Sequence, residues 1–299
     1  ASGRSTAYSF MLLLNGIATF ATIFIGQFTI GLNVHNAIIL QTFAGLLTVA
    51  IALKYLFSYL GAKGKINFDY LKNALRFGVG VHGTTLANYS ATSLCILLIN
   101  HHLGASTVGI YTVAQSISDR VYLISDAVAT LLLPRVSRDN TLNRTSITPI
   151  VFRVTLFVLI AISVTLAALA GWIIPLLFTH KFDGAVPILQ VLLISAVFVG
   201  GWRILSQDIT GRGHSMLVAS IETSSTILYL TLLALTLPRF GITGAAWSAA
   251  LAAALRCMAG MLGYQYKNKN GNFKVFFKPS VGEIEFLFRH WNRLVRQPR

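Results

Sequence analysis

Several ionisable residues of this chain stand inside long apolar runs. If such runs cross a bilayer, an ionised side chain near its centre costs about 2.5–3.5 kcal/mol on insertion scales. Groups retained there are candidates for binding a charged ligand, for carrying a coupling ion, or for pairing with one another. The ionisable candidates are Asp119, Arg120, Asp126, Glu222, Arg256 and His82, and the polar residues Asn88 and Tyr122 accompany them.

The spacing of these residues leaves two interpretations open. On a helix, Asp119, Tyr122 and Asp126 share a face, whereas Arg120 points roughly 100° away. The groups either neutralise each other in ion pairs, for example Arg256 with Glu222, or line a hydrated cavity. Because they are spread over four segments, the set favours a cavity for an amphiphile with an anionic, hydroxyl-rich head group.

Within such a cavity each residue type has a distinct chemistry. Arginine holds a diphosphate by charge-assisted hydrogen bonds, and carboxylates carry coupling protons or bind sugar hydroxyls. We therefore assign Arg120, Arg256, Asn88 and Tyr122 to substrate binding, and Asp119, Asp126, Glu222 and His82 to coupling or ion pairing. A lone histidine such as His82 is more often a helix-packing residue than a proton relay.

The elements that position these residues follow from composition. Of 299 residues, 55% are hydrophobic and only 11% are charged, whereas soluble domains are about 25% charged. The net charge of +15 would suggest nucleic acid in a soluble protein, but here the basic residues separate apolar runs. We expect a polytopic membrane protein and no nucleic-acid partner.

Eight segments have the roughly 20 apolar residues that a transmembrane helix needs. The predicted fold is therefore an all-α transmembrane bundle of about eight helices. The segments are Tyr8–Leu32, Ala37–Leu60, Phe77–Leu103, Val108–Leu133, Val151–Phe178, Ala185–Leu205, Ser215–Leu237 and Ala245–Tyr264.

The distribution of basic residues predicts the orientation. One set of loops and termini holds 20 Lys and Arg residues, and the opposite loops hold only Lys181 and Arg239. By the positive-inside rule, both termini are expected in the cytoplasm. Ser280–Arg296 has helical amphipathicity and a basic face, which predicts a helix that either lies on the anionic inner leaflet or docks on its own protein.

Motifs for soluble catalysis are missing from the sequence. It has no P-loop, no HExxH or GxSxG motif, and no paired cysteine ligands, so we expect neither cofactor nor metal. Cys95 and Cys257 are interpreted as small buried hydrophobes.

An ordered set of short motifs resembles a known family. The chain resembles the polysaccharide-transporter branch of the multidrug/oligosaccharidyl-lipid/polysaccharide (MOP) exporter superfamily, that is, Wzx-type O-antigen flippases. The motifs are Leu75–Gly83 (LRFGVGVHG), Leu103–Gln115 (LGASTVGIYTVAQ), Leu131–Ser137 (LLLPRVS), Ile173–Phe182 (IIPLLFTHKF), Leu205–Gly213 (LSQDITGRG) and Leu237–Ala246 (LPRFGITGAA).

This resemblance implies a domain organisation. Family members usually have two six-helix lobes, and by this comparison about four N-terminal helices would be missing from this chain. Residues 1–60 would be the last two helices of the first lobe, and 61–76 a basic cytoplasmic linker. Residues 77–264 would be the six-helix second lobe, and 265–299 a basic cytoplasmic tail. A cavity formed between two lobes would then be incomplete in these 299 residues.

The resemblance also implies a function. It is alternating-access transfer of undecaprenyl-diphosphate-linked oligosaccharide, such as an O-antigen repeat unit, between the leaflets of the bacterial inner membrane. Membrane lipids and polysaccharide polymerase machinery are the implied further partners.

Three alternatives remain. Two are relatives in the same superfamily, a drug or cation exporter and a lipid II flippase. The third is a membrane enzyme acting on a lipid-linked sugar, which the predicted outer loops of four to seven residues disfavour.

Overall fold

The computed structural model describes residues 34–59, 68–138 and 144–267, together with six isolated helical positions between residues 16 and 26. All regular structure in these ranges is helical, which confirms the all-α prediction. Most of the predicted segment Tyr8–Leu32 and all of the predicted tail helix Ser280–Arg296 lie outside the described residues.

The described ranges contain seven helices and a short 3-10 turn at His180–Phe182. Three of the helices, α5, α6 and α7, are long and apolar enough to cross a membrane. The bounds are α1 Val34–Tyr59, α2 Phe68–Leu103, α3 Ala105–Val121, α4 Leu123–Arg138, α5 Arg144–Phe178, α6 Ala185–Gly211 and α7 Ser215–Lys267.

The longest helix, α7, consists of two antiparallel halves, 215–240 and 242–267. A straight helix would separate positions 222 and 256 by about 50 Å at 1.5 Å per residue. Instead, the side chains of Glu222 and Arg256 are 2.7 Å apart, so the chain has reversed direction between them. The reversal lies at Gly241, whose φ of 60° and ψ of −147° are not helical.

Two glycines make this tight turn between the halves of α7 feasible. The positive φ of Gly241 lies in a region that L-residues rarely adopt. A Cβ on Gly244 would stand 2.7 Å from the carbonyl oxygen of Thr236, which belongs to the backbone and cannot rotate away. The Thr236 hydroxyl then donates to the Gly244 carbonyl at 3.1 Å and contacts the Ser248 hydroxyl at 2.8 Å.

A break between α3 and α4 corrects the predicted segment Val108–Leu133. The sequence predicts one continuous helix, but the structure interrupts it at Tyr122, whose ψ of −2° departs from the helical value near −42°. Neither glycine nor proline occurs between residues 110 and 133, so the usual sequence signals of a kink are missing. The amide of Asp126 donates to the Tyr122 carbonyl at 3.1 Å, which restarts the helical ladder.

Helix α6 is the central element of the bundle. It packs against α3, α4, α5 and α7, and 56% of its most apolar stretch is buried, compared with 22% for α5. The outward side chains of α5 are large and apolar, and Phe157, Trp172 and Leu176 are each at least 75% exposed. Exposed apolar surface of this extent fits a helix that faces lipid.

The described chain divides into two compact units, Ala1–Asn67 and Phe68–Arg299. The first contains α1, and the second contains α2 to α7. Every residue of the candidate site described below belongs to the second unit.

Candidate functional site

A cavity of about 160 Å³ opens between α2, α3, α6 and both halves of α7. Small residues on facing helices leave the space, among them Ala91, Ala196, Ala249, Ala252 and Ala253. The polar side chains that line it are Asn88, Thr92, Tyr111, Gln115, Ser118, Asp119, Tyr122, Ser195, Arg203, Ser225, Thr226, Tyr229 and Arg256.

Helical periodicity brings each wall of the cavity to one face of its helix. On α6 the lining residues are Leu192, Ser195, Ala196, Val199 and Arg203, which recur every three or four positions. The lining residues of α3 follow the same spacing from Tyr111 to Tyr122. The face of α6 is apolar except at its two polar positions, so the guanidinium of Arg203 is the only charge that this helix contributes to the lining.

The carboxylate of Glu222 joins four helical segments just behind the cavity wall. It accepts hydrogen bonds from Arg256 Nη1 at 2.7 Å, from Trp202 Nε1 at 3.1 Å and from Asn88 Nδ2 at 3.0 Å. The side chains of Glu222 and Arg256 are only 6% and 14% exposed. The ion pair that the sequence suggested as one interpretation is therefore present, and it ties α2, α6 and the two halves of α7 together.

Arg256 nevertheless keeps unused hydrogen-bonding capacity. Its Nε is buried and has no hydrogen-bond partner within the part of the chain that the structure describes. A buried donor without a partner is unfavourable by about 1–3 kcal/mol, more for a charged group. A ligand oxygen in the cavity, which Arg256 lines, would relieve this penalty.

A second charged pair is looser. Arg203 Nε lies 3.4 Å from Asp126 Oδ1, and the two side chains are 35% and 38% exposed. The guanidinium also stands over the ring of Tyr122, 5.7 Å from its centroid. Such cation–π contacts contribute about 0.5–1 kcal/mol at exposed sites. Arg203 thus contacts the break residue Tyr122 and the first turn of α4.

The cavity lining carries both signs of charge. Arg203 and Arg256 contribute two guanidinium groups, and Asp119 contributes one carboxyl group. The carboxylates of Asp126 and Glu222 lie outside the lining and contact these arginines. The lining itself therefore holds two guanidinium groups and one carboxyl group, and each guanidinium has a carboxylate partner outside the lining.

The lining also contains neutral polar side chains. Tyr111, Tyr229 and Cys95 interact with one another through their side chains, and the amide of Gln115 faces the same space. Tyr111 is 2% exposed and Cys95 is 1% exposed. Hydroxyl and amide groups of this kind pair with the hydroxyls of a sugar.

The predicted site residues separate into three groups. Asn88, Asp119, Tyr122 and Arg256 line the cavity, while Asp126 and Glu222 contact its arginines from behind. Arg120 and His82 are exposed and are not part of the lining. For Arg120 the reason is the helical turn of roughly 100° between neighbouring positions, which directs it away while Asp119 faces inward.

Arg203 lines the cavity, which the sequence pattern does not predict, because Arg203 lies near the inner end of the predicted segment Ala185–Leu205 and is one of the 20 basic residues on the cytoplasmic side. The helix continues to Gly211, so Arg203 lies eight residues, about 12 Å, inside its end. Tyr111, Tyr229 and Gln115 were also missed, although their three- and four-residue spacing from other polar positions was a usable signal.

A separate buried cluster lies at the end of α6. Asp208 is fully buried and accepts hydrogen bonds from Thr148 Oγ1 at 2.8 Å, Arg212 Nε at 2.8 Å and Arg212 Nη2 at 3.2 Å. The guanidinium of Arg212 stands 5.4 Å from the ring of Tyr264. These contacts join α5, α6 and α7 outside the cavity.

The described residues contain no group of three or more His, Cys, Asp or Glu side chains arranged to hold a metal ion.

Solved structures of membrane transporters are similar to the whole arrangement. The lipid II flippase MurJ in its inward closed conformation superposes with a TM-score of 0.65 at 17% identity, over 96% of this chain and 60% of that chain. A MATE transporter from Vibrio cholerae, VcmN, gives 0.64 at 16% identity, over 90% of this chain and 63% of that chain.

A third structure, an outward-facing multidrug resistance MATE transporter of the MOP superfamily, gives a TM-score of 0.56 at 14% identity, over 73% of this chain and 50% of that chain. The chain thus spans about 60% of the length of the first two structures. At these identities the likeness shows the fold alone.

The family is shown by sequence. Residues 6–187, more than half of the chain, match the family model described as polysaccharide biosynthesis protein. The comparison with curated proteins gave no match. By their names, the similar structures are a flippase and two transporters. The chain belongs to the polysaccharide biosynthesis protein family and has the multi-pass helical membrane fold of the MOP superfamily transporters.

Proposed function

We propose that the chain belongs to a flippase that moves a polyprenyl-diphosphate-linked oligosaccharide from the inner to the outer leaflet of the bacterial inner membrane by alternating access. The observation that carries the proposal is one cavity with two guanidinium groups beside a neutral wall of tyrosine, glutamine and serine side chains. A glycosyl diphosphate has the matching chemistry, since its phosphates are anionic and its sugars present hydroxyl groups.

The size of the cavity limits which part of this substrate it would hold. A volume of about 160 Å³ is close to that of an engineered cavity of ~150 Å³ that admits benzene. One sugar ring or the diphosphate would fit, while the remaining sugars and the polyprenyl chain would extend beyond it. An O-antigen repeat unit is the substrate that the family resemblance favours.

The domain organisation belongs to the same proposal. Residues 77–264 would form a six-helix lobe, and residues 1–60 the last two helices of a preceding lobe. Of the 20 basic residues on one side of the predicted spans, 19 remain there once Arg203 is placed in the cavity, and they support cytoplasmic termini. Membrane lipids would surround the bundle, and polysaccharide polymerase machinery would receive the translocated units.

One observation supports a second candidate, an exporter of organic cations. Asp119 lines the cavity, and two of the similar structures are MATE transporters. In that case Asp119 would bind the cation, and its replacement by Asn would abolish export. A flippase for a diphosphate would instead tolerate or benefit from Asp119→Asn, because the change removes a negative charge from the cavity.

The test uses a strain that lacks the intact gene, from which lipid-linked oligosaccharides are extracted and quantified. The proposal expects a complete, unpolymerised repeat unit to accumulate and to disappear when the gene is restored. Unchanged lipid-linked oligosaccharide, combined with altered sensitivity to cationic drugs, would overturn the proposal in favour of the cation exporter.

A further inference from the structure

We propose that Arg203 is the residue that receives the anionic group of the ligand, and that Asp126 competes with the ligand for it. This inference rests on the proposed function and assigns one interaction within its site. It differs from the sequence-based expectation, which assigned the anion to Arg120 and Arg256. Three observations support it. They concern the strength of the two ion pairs, access to Arg203 from the cavity, and the position of Asp126.

The first observation is that the two cavity arginines are held very differently. Arg256 binds Glu222 at 2.7 Å, and both side chains are almost fully buried. Arg203 lies 3.4 Å from Asp126, and both side chains are more than a third exposed. The Arg203–Asp126 contact is longer and less buried than the Arg256–Glu222 pair, and removing one partner of a buried pair strongly destabilises the fold. Arg203 can therefore exchange its partner, and Arg256 stays bound to Glu222.

The second observation concerns access. Arg203 lines the cavity, but its partner Asp126 does not. An anion in the cavity thus approaches one side of the guanidinium while Asp126 contacts it from outside the lining. A guanidinium binds phosphate in a bidentate manner with two parallel N–H donors, which a single contact at 3.4 Å does not use.

The third observation is the position of the competitor. Asp126 lies in the first turn of α4, directly after the break at Tyr122. Because Arg203 also stands over the Tyr122 ring, it is oriented by that ring whichever anion it binds. The other charges of the cavity lining are Arg256, which attracts the same anion, and Asp119, which opposes it.

The experiment measures binding of farnesyl diphosphate to the purified full chain in lipid nanodiscs, with farnesol as the uncharged control. We expect Arg203→Gln to weaken diphosphate binding at least tenfold and Arg203→Lys to give an intermediate loss. Arg120→Gln is the matched control, since Arg120 is exposed outside the lining, and it should stay within twofold of the unmodified chain. Thermal unfolding of each variant separates loss of binding from loss of fold.

Competition is tested by a double-mutant cycle with Asp126→Asn. Asp126→Asn should tighten farnesyl diphosphate binding severalfold in the unmodified chain and leave it unchanged in the Arg203→Gln background. A general electrostatic effect would instead give the same gain in both backgrounds, which would overturn the inference. Folded Arg203→Gln that binds like the unmodified chain would also overturn it.

The outcome also separates this inference from the proposed function. If the unmodified chain binds farnesyl diphosphate and farnesol equally, diphosphate recognition itself is wrong and both proposals fail. If diphosphate binding is specific but insensitive to Arg203→Gln, only the assignment to Arg203 fails.

Discussion

Glu222 and Arg256 are 34 residues apart in sequence, yet their side chains form a buried ion pair of 2.7 Å across the two antiparallel halves of α7. The carboxylate also accepts hydrogen bonds from Trp202 on α6 and Asn88 on α2. This one side chain therefore fixes the relative positions of three of the cavity walls. Its partner Arg256 contributes a positive charge to the cavity itself.

Removing one member of this pair should destabilise the fold more than removing both. Glu222→Gln alone leaves the Arg256 guanidinium without its partner, and Arg256→Gln alone leaves the Glu222 carboxylate without its partner. Either change is unfavourable by about 3–5 kcal/mol. The double variant removes both charges, so its loss should be smaller than the sum of the single losses. Unfolding free energies from detergent titrations check this, and strictly additive losses would contradict the pairing.

The turn between the halves of α7 should tolerate no side chain at position 244. Gly244→Ala brings a Cβ to 2.7 Å from the Thr236 carbonyl oxygen, and overpacking of this kind destabilises by about 1–3 kcal/mol. Gly171→Ala is the control, because no atom lies within 4 Å of the added Cβ and alanine favours helix. Thermal unfolding in one detergent compares the two, and equal melting temperatures would contradict the described turn.

The cluster around Asp208 should be a second determinant of stability. Asp208→Asn replaces a fully buried carboxylate that accepts three side-chain hydrogen bonds from Thr148 and Arg212. Hydrogen bonds to charged groups contribute about 1.5–3 kcal/mol each, so a marked fall in melting temperature is expected. Asp183→Asn is the matched control, because Asp183 is exposed and contacts only His180 at 3.4 Å in the described structure. A fall of the same size in both variants would show that burial of Asp208 is unimportant.

Cysteine labelling tests which face of α2 lines the cavity. Both native thiols are buried, so the background for the test is Cys95→Ala with Cys257→Ala. Thr92 is exposed and lines the cavity, whereas its exposed neighbour Ser93 does not line it. Farnesyl diphosphate should slow maleimide labelling of a Thr92→Cys variant and leave labelling of a Ser93→Cys variant unchanged. Protection of the Ser93→Cys variant alone would place the ligand elsewhere.

Some of this architecture follows directly from sequence. Long apolar runs predict the helices, and the need to neutralise charge inside them gives the pairing of Glu222 with Arg256 as one of two interpretations. The spacing of Asp208, in the last turn of α6, and Arg212, the residue that follows the helix, is likewise a signal that the sequence contains. These features depend on residue type and local spacing, which the sequence states explicitly.

Other features depend on packing between helices and could not be predicted. The break at Tyr122 occurs without glycine or proline nearby, so no local signal marks it. That break, together with the extra turns of α6, decides that Arg203 faces the cavity and contacts Asp126. Asp119 points into the cavity and Arg120 points away because of the rotation of α3 about its own axis. Sequence periodicity shows which residues share a face of the helix, but it does not show which neighbouring helices that face meets.

Translocation through the described cavity is tested by measuring, in cells, which leaflet holds the lipid-linked repeat unit. In a strain lacking the intact gene, the leaflet distribution of the lipid-linked repeat unit is measured with the intact protein, its Arg203→Gln variant or its Arg120→Gln variant restored. If a diphosphate-linked saccharide crosses the membrane through the described cavity, repeat units reach the outer leaflet with the intact protein and with Arg120→Gln. With Arg203→Gln they accumulate in the inner leaflet. Outer-leaflet repeat units in the strain that lacks the gene would contradict translocation through this cavity.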